Sequence, residues 1–184
     1  MKKILTVLLA VMVAAGSVSA KEAAKKKADA KQAYSNSIGL VAGLGVGLQY
    51  KKMVSNHFTI IEEFGYFTCI SGAASASGGG GYSGAIDNLV LAYQAKCAEG
   101  KGIRLDYYIG GQLKAGYSGG MGVAGGVIGF GAAGGIEAKM INAPIAFSFD
   151  FRPGYAMQLV GTPRGVALDH MLDYSFNLGV RYTF

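Results

Sequence analysis

Apolar and polar residues alternate along much of the chain, and the pattern is clearest at the C-terminus. From residue 172 to residue 184 every second residue is apolar, and the residues between them are polar, charged or glycine. The apolar positions are Leu172, Tyr174, Phe176, Leu178, Val180, Tyr182 and Phe184. Successive side chains of a β-strand point to opposite faces, so this period of two predicts a strand with one apolar and one polar side.

The same period of two recurs upstream, which predicts an all-β protein. The segments that carry it are residues 38–50, 58–70, 85–97, 103–117, 123–140 and 145–152. The first two follow the pattern less strictly, and Glu62 falls on an apolar face. The segment 123–140 is mostly Gly and Ala, which leaves open a glycine-packed transmembrane helix as a minor alternative.

Alternation alone does not say which face is the core, because a water-soluble sandwich alternates as well. The segments run to about 12–15 residues, whereas soluble strands usually have about 5 or 6. Their polar faces also carry charges of both signs, which could pair inside a closed barrel whose apolar faces meet lipid. We therefore predict a closed antiparallel transmembrane up-and-down β-barrel. Its interior charge network is predicted to comprise Glu63, Lys96, Asp106, Lys114, Glu137, Asp150, Arg152 and Arg181.

The number of strands follows from where the chain enters and leaves the barrel. Both ends of such a barrel should lie on the same side of the membrane, which requires an even number of crossings, yet only seven strands are clear. We expect residues 35–45 and 46–52 to form two strands with a turn near residues 43–47, giving eight; a turn at residues 152–154 is the alternative. The long connections then lie outside (69–84, 117–123 and 160–171), and the short ones inside (51–56, 97–102 and 140–143).

The N-terminus has the features of an export signal. Lys2 and Lys3 precede an apolar stretch, and small residues lead up to Ala20, as in a secretory signal peptide cleaved after that residue. We expect residues 1–20 to be the signal peptide, 21–35 a basic periplasmic leader and 36–184 the barrel. Charged residues make up 15% of the 184-residue chain, which has 30 Gly and a net charge of +6. This modest positive excess does not require a nucleic-acid partner.

The chain ends in a motif that resembles the C-terminal signature of Gram-negative outer-membrane barrels. In this signature alternating apolar residues close on a terminal Phe, as they do here at Phe176, Leu178, Val180, Tyr182 and Phe184. With segments 135–139, 142–145 and 149–153, the chain is similar to the small porin-family proteins loosely called OmpX/OmpW-like. The resemblance implies an outer-membrane location and eight strands. It further implies outer-membrane lipid and the barrel-assembly machinery as partners, and a monomer.

Candidate chemistry is sparse. Residues 129–134 match the G-x-G-x-x-G pattern of dinucleotide-binding folds, but no βαβ unit surrounds them, and in a barrel they are small wall positions. Cys69 and Cys97 should lie about 40 Å apart in the predicted hairpin, too far for a disulfide between them, so we expect two free thiols or a pairing between molecules. His57 and His170 have no metal-ligand spacing, so we expect solvated side chains. We find no catalytic, cofactor-binding or metal-binding set.

We therefore expect an integral outer-membrane barrel that is structural or surface-exposed and not an enzyme. The glycine-rich inner face leaves a second hypothesis, a narrow channel for ions or small, possibly hydrophobic, solutes. A third is an adhesin or binding module acting through loops 69–84 and 160–171, although these loops are rich in small residues and poor in the aromatic and Arg anchors of tight interfaces.

Overall fold

The structure is a computed structural model of the chain that describes residues 34–70, 81–120, 123–162 and 165–184. The expected signal peptide, and the expected leader up to residue 33, lie outside the described residues. The strands are β1 (Asn36–Ala42), β2 (Gly45–Met53), β3 (Phe58–Ile70), β4 (Gly81–Glu99), β5 (Ile103–Gly120), β6 (Val123–Met140), β7 (Ile145–Thr162) and β8 (Gly165–Thr183). The described part of the chain contains no helix with the length and apolarity needed to cross a membrane.

Each strand pairs in antiparallel fashion with the next, and β1 pairs with β8 to close the barrel. The predicted fold class is confirmed, and the eighth crossing comes from the β1–β2 hairpin, which turns at residues 43–44. The alternative turn at residues 152–154 is wrong, because Arg152, Pro153 and Gly154 lie within β7 and pair with β8. Proline lacks an N–H, and the β6–β7 ladder is interrupted beside Pro153.

We call the end of the barrel where Asn36 and Phe184 meet the inner end, and the opposite end the outer end. At the outer end the strands differ in length. The β1–β2 hairpin ends at Ala42 and Gly45, whereas β7 continues to Thr162 and β8 begins at Gly165. The prediction of a loop over residues 160–171 is therefore wrong, since residues 165–171 pair with β7. The predicted loop 117–123 is likewise mostly strand, and residues 71–80 of the predicted loop 69–84 lie outside the described residues.

The strands are staggered around the barrel. Pairing from Phe64 leads through β2 and β1 to Val180, but leads through β4, β5, β6 and β7 to His170. Both residues lie on β8, ten positions apart, so the strands must tilt relative to the barrel axis. An eight-stranded barrel is only wide enough for side chains to fill it, so the inward-facing side chains of different strands meet in its lumen.

The apolar faces of the strands point outward. Leu178 is 62% exposed and Phe176 is 53% exposed, while Arg181 and Asn177 on the opposite face of β8 are buried. Two carboxylates are exceptions, since Glu62 and Asp87 lie on the outer face. A smaller set of apolar side chains faces inward and forms two clusters, one around Phe67 and Ile86 and the other around Ile61 and Tyr108.

Candidate functional site

The inner mouth of the barrel is occupied by Tyr34, which precedes β1. Its side chain is buried, and its hydroxyl donates a hydrogen bond of 2.6 Å to Oε1 of Glu137. The ammonium of Lys139 lies 4.4 Å from the centre of the Tyr34 ring, close enough for a cation–π interaction. Burial, followed by the nearby charge of Glu137, raises the pKa of the Tyr34 hydroxyl well above its ordinary value. The phenol therefore stays neutral and keeps donating to Glu137.

Glu137 is the centre of a cluster of charges behind Tyr34. Lys51 Nζ lies 2.7 Å from its Oε2, Lys139 Nζ lies 3.3 Å from its Oε1, and Arg181 also donates to Oε2. Lys139 also lies 2.6 Å from Asp106, which accepts a further bond from Arg104. Lys51, Glu137 and Arg181 are almost completely buried, and a buried charge is tolerated only when it is paired in this way.

A second cluster crosses the middle of the lumen around Arg152. Its Nη2 donates to Oε1 of Glu63 at 2.6 Å, and its Nε donates to Oδ1 of Asp150 at 2.7 Å. Asp150 also accepts hydrogen bonds from the Tyr108 hydroxyl at 2.6 Å and from the Asn177 amide at 2.9 Å. Each carboxylate of this cluster thus receives at least two donors.

Gln49 joins the two clusters. Its amide nitrogen donates to Glu63, and its amide oxygen accepts from Arg181. One hydrogen-bonded network therefore runs from Tyr34 at the mouth to Arg152 in the middle of the barrel. A lumen crossed at two levels by paired charges has little room for a solute.

Glycines on the inner face do not open a path beside this network. A Cβ on Gly135 would lie 2.6 Å from Cβ of Asp150 and 2.8 Å from Cζ of Tyr108. The space that a side chain at Gly135 would occupy is thus already taken by the Arg152 cluster. In the same way, Gly129 makes room for the side chain of Lys114, and Gly131 and Gly154 make room for that of Gln112.

The outer half of the lumen is arranged differently. A small cavity with room for about one water molecule lies on the outer side of Glu63 and Arg152. Lys114 and Asp173 form an ion pair at its edge, and Leu44, from the β1–β2 turn, also lines it. Two of its buried polar atoms, Oδ1 of Asn88 and Nε2 of Gln112, have no hydrogen-bond partner within the described part of the chain.

The structure brings seven of the eight residues of the predicted charge network into the lumen. Glu63, Asp150, Arg152 and Arg181 contribute to the network described above, as do Asp106 and Glu137, whereas Lys114 lies at the outer cavity. Lys96 is the correction. It lies beside an irregularity of the β4–β5 pairing near the inner end of the barrel, is exposed, and pairs with Glu99 at 3.0 Å. The period of two gave its face correctly but could not show that the lumen ends before it.

Three charged residues of the lumen were not included in the predicted network. The period of two had placed Lys139 and Asp173 on polar strand faces, and the same spacing relates Lys51 to Gln49. Tyr34 carried no such signal, because it lies outside any alternating segment.

Four residues of the predicted assembly signal lie together on the outer face of β8, and the fifth, Phe184, directly follows that strand. Phe176, Leu178, Val180, Tyr182 and Phe184 are 51 to 62% exposed. Their recognition by an assembly machinery stays a prediction.

The remaining candidate groups form no reactive set. The glycine motif at residues 129–134 lies within β6, and the described residues contain no cluster of His, Cys, Asp or Glu suited to a metal ion. His57 stacks on Tyr93, and His170 is hydrogen bonded to the Tyr155 hydroxyl at 2.7 Å. Cys97 is a free, exposed thiol near the inner end of β4, while Cys69 pairs with Tyr82 near the outer end of that strand.

No protein-family model and no curated protein matches this chain. Among solved structures, the chain is similar to a major outer membrane protein from Thermus thermophilus, with 12% identity and a TM-score of 0.48 over 83% of this chain and 100% of that one. It is also similar to Neisserial surface protein A (11% identity, TM-score 0.37, 81% and 93% of the two chains). A third similar structure is that of Ail, the attachment invasion locus protein of Yersinia pestis (13% identity, TM-score 0.33, 82% of this chain and 97% of that one). At sequence identities of 11 to 13%, no ligand, partner or residue role can be transferred from these proteins to this one.

Proposed function

We propose that this protein is an integral outer-membrane β-barrel with a closed lumen and no catalytic activity. The observation that carries the proposal is the inverted arrangement of its side chains. Large apolar residues cover the outside of all eight strands, whereas Lys51, Arg152, Arg181 and Glu137 are buried inside. A water-soluble barrel would have the opposite arrangement, because in water apolar side chains are buried and charged side chains stay exposed to the solvent.

The aromatic residues of the outer face support a membrane position. Phe58 and Tyr66 are both exposed and stand eight residues apart on β3, a span of about 26 Å along a strand. With a tilt of about 40°, they are separated by about 20 Å along the barrel axis, near the height of the apolar band of outer-membrane barrels. Tyr and Phe at these heights would lie at the two membrane interfaces.

The proposal extends to the location and the partners of the barrel. The N- and C-terminal ends of the barrel meet at the inner mouth, where Asn36 and Phe184 exchange backbone hydrogen bonds of 2.9 Å. With this mouth in the periplasm, residues 1–20 would be the signal peptide, removed after Ala20, and residues 21–35 would be the basic leader of the mature chain. Outer-membrane lipid and the assembly machinery are the expected partners, and we propose that the barrel is a monomer.

The network between Tyr34 and Arg152 favours a closed barrel over the narrow channel. An ion crossing the lumen would have to separate Lys51 from Glu137 and Arg152 from Glu63, all of them buried pairs. Opening such pairs without replacing their partners is costly.

Two measurements test the proposal. The protein, purified from membranes, should migrate differently on a gel before and after boiling, because a folded barrel resists the detergent of the gel. In planar bilayers it should give no discrete conductance steps, with a general porin as the positive control. Recovery of the mature chain from a detergent-free periplasmic extract would contradict the membrane position, and ohmic steps from the folded protein would favour the channel.

A further inference from the structure

The β7–β8 hairpin extends well beyond the β1–β2 hairpin at the outer end of the barrel. Strand β8 pairs with β7 from Gly165 to Tyr182, but it pairs with β1 only from Leu178 to Thr183. Within the described part of the chain, no other strand pairs with β8. One edge of β8 is therefore unpaired between the β1–β2 turn and the outer end of the strand.

The backbone groups on this edge follow from the hydrogen bonds at the inner end. Asn36 and Phe184 exchange two backbone bonds, so the N–H and C=O of Phe184 point towards β1. This direction alternates from residue to residue along an antiparallel strand, and the N–H of Thr183 accordingly bonds to Pro144, next to β7. The unpaired N–H and C=O groups of the outer part therefore belong to Leu168, His170, Leu172 and Tyr174.

The unpaired edge begins just beyond the β1–β2 turn. A Cβ on Gly43 would collide with the carbonyl oxygen of Phe176, so the turn covers β8 up to that residue. We call residues 168–174 the β8 edge. It is about 20 Å long, since each residue of a strand advances by about 3.3 Å.

The β8 edge lies outside the apolar band when the barrel has the membrane position proposed above. Pairing leads from Tyr66, which we place at the outer interface, through β2 and β1 to Leu178. These are three of the eight steps over which the stagger of ten residues is distributed, so Tyr66 is level with a residue about four positions beyond Leu178, at Tyr174. An unpaired edge would be costly in lipid, whereas in water its groups stay solvated and available to a partner.

The residues of the β8 edge favour the addition of a strand. Leu168, Leu172 and Tyr174 are exposed on the outer face, and side chains of directly paired residues lie on the same face of a sheet. Proline, lysine and bulges commonly block a free edge. Residues 165–175 contain neither Pro nor Lys, and their pairing with β7 has no register shift.

We propose that the β8 edge binds an extended segment of another polypeptide as an added antiparallel strand. The segment continues the pairing that β1 makes lower on the same edge, and each of the four residues exchanges two backbone hydrogen bonds with it. Its apolar side chains, at every second position, lie beside Leu168, Leu172 and Tyr174. A helix does not fit, because its backbone groups bond within the helix. The proposal goes beyond the closed-barrel function, but it rests on the membrane position, which places the β8 edge outside the cell.

A synthetic peptide of about nine residues, in which Val and Thr alternate between terminal lysines, is a suitable probe. In the ¹⁵N-labelled mature protein in detergent micelles, the amide protons of Leu168, His170, Leu172 and Tyr174 should exchange rapidly with solvent. Peptide at about millimolar concentration should slow their exchange at least about 10-fold. The amides of the odd-numbered residues between them bond to β7 and should not change. Slow exchange at the four residues without peptide would mean that another part of the chain covers the edge, and it would overturn the proposal, as would unchanged exchange with peptide.

A methylated peptide separates strand addition from other kinds of binding. N-methylation of every Val removes the donors that face the β8 edge but keeps the side chains. We expect this peptide to bind at least about 10-fold more weakly, the loss of about one hydrogen bond or more. Binding as tight as that of the parent peptide would contradict strand addition.

Leu172→Pro tests the edge from the side of the protein. It removes an N–H that points away from β7, a position at which an edge strand tolerates proline. Peptide binding should weaken at least about 10-fold, whereas the matched control Leu172→Val keeps the N–H and should stay within about 2-fold. Both variants must show the heat-dependent gel shift. A folded Leu172→Pro that binds like the wild type refutes this proposal alone, whereas a wild type without the gel shift refutes the proposed function.

Discussion

The inner and outer halves of the lumen are filled in different ways. In the inner half Tyr34, Lys51, Arg181 and Lys139 converge on Glu137, and their paired groups cross the lumen. The outer half has the Lys114–Asp173 pair beside a cavity in which two amide atoms are unpartnered within the described part of the chain. The inner half is therefore filled by paired charges, whereas the outer half is less completely packed.

The difference arises from the number of strands that surround the lumen in each half. The inner end is enclosed by all eight strands and by Tyr34, so charged side chains from β2, β5, β6 and β8 meet across a narrow space. At the outer end the β1–β2 hairpin stops early, and only six of the described strands continue. Fewer side chains then reach the lumen at that height, and a cavity remains.

Glu137→Gln should have the largest effect on the comparison. The substitution keeps the shape but removes the charge that Lys51 and Arg181 share, which leaves buried cations without their carboxylate. Breaking a buried pair in this way costs about 3–5 kcal/mol. Urea unfolding of the protein in lipid vesicles, followed by the heat-dependent gel shift, measures the loss. A cost below about 1 kcal/mol would mean that the inner cluster is as well hydrated as a surface pair.

The outer face of the barrel provides a third environment to compare with the two halves of the lumen, because a charge on this face would lie in lipid without a partner. Leu48 on β2 and Val54 in the β2–β3 turn have nearly equal exposure, 60% and 58%. Leu48→Arg should cost about 2–4 kcal/mol, the penalty for a cation near the centre of the apolar band. Val54→Arg lies outside the strands and serves as its control. Equal urea midpoints for the two variants would contradict the membrane position.

Much of this fold could be predicted from the sequence, because a period of two gives the inward or outward face of each residue. It is enough to assign Glu137, Arg152 and Arg181 to the interior. The period does not give height along the barrel axis, which explains Lys96. The period also does not show where a hairpin ends when apolar and polar residues occur on both faces of its strands. This explains why the prediction of a loop over residues 160–171 is wrong.

The site itself was less predictable than the fold. The partners of Glu137 come from strands that are far apart in sequence, and their meeting depends on the stagger of ten residues. Tyr34 enters the lumen from outside any strand. The cavity beside Asn88 and Gln112 depends on the length difference between the β1–β2 and β7–β8 hairpins, which no local pattern indicates.

Asp173→Asn tests the outer half in the same way that Glu137→Gln tests the inner half. It removes the charge paired with Lys114 but keeps the size of the side chain. Because the cavity beside this pair is open to water, we expect a smaller cost, about 1–2 kcal/mol. The same urea titration measures it. A loss as large as that of Glu137→Gln would show that the two halves depend on their ion pairs equally, and the comparison would then fail.

Tyr34→Phe has the smallest expected effect, but it has a distinctive pH dependence. The change removes only the hydroxyl that donates to Glu137, which should cost about 1 kcal/mol at neutral pH. Burial raises the pKa of this hydroxyl in the folded protein above the value near 10 that it has when unfolded. The stabilisation by the neutral phenol is therefore fully present below pH 10 and is lost as the pH rises from there towards the folded-state pKa.

Urea midpoints of the wild type and of Tyr34→Phe, compared between about pH 8 and pH 11, isolate this hydroxyl, because all other titrating groups are common to the two proteins. The stability advantage of the wild type should be constant up to about pH 10 and should shrink above it. An advantage that instead grows with pH would mean that the phenol ionises inside the mouth and that Lys139 stabilises the phenolate there. The inner mouth would then be closed by an ion pair that forms only at high pH, and the neutral hydrogen bond to Glu137 would not be what holds Tyr34 in the lumen.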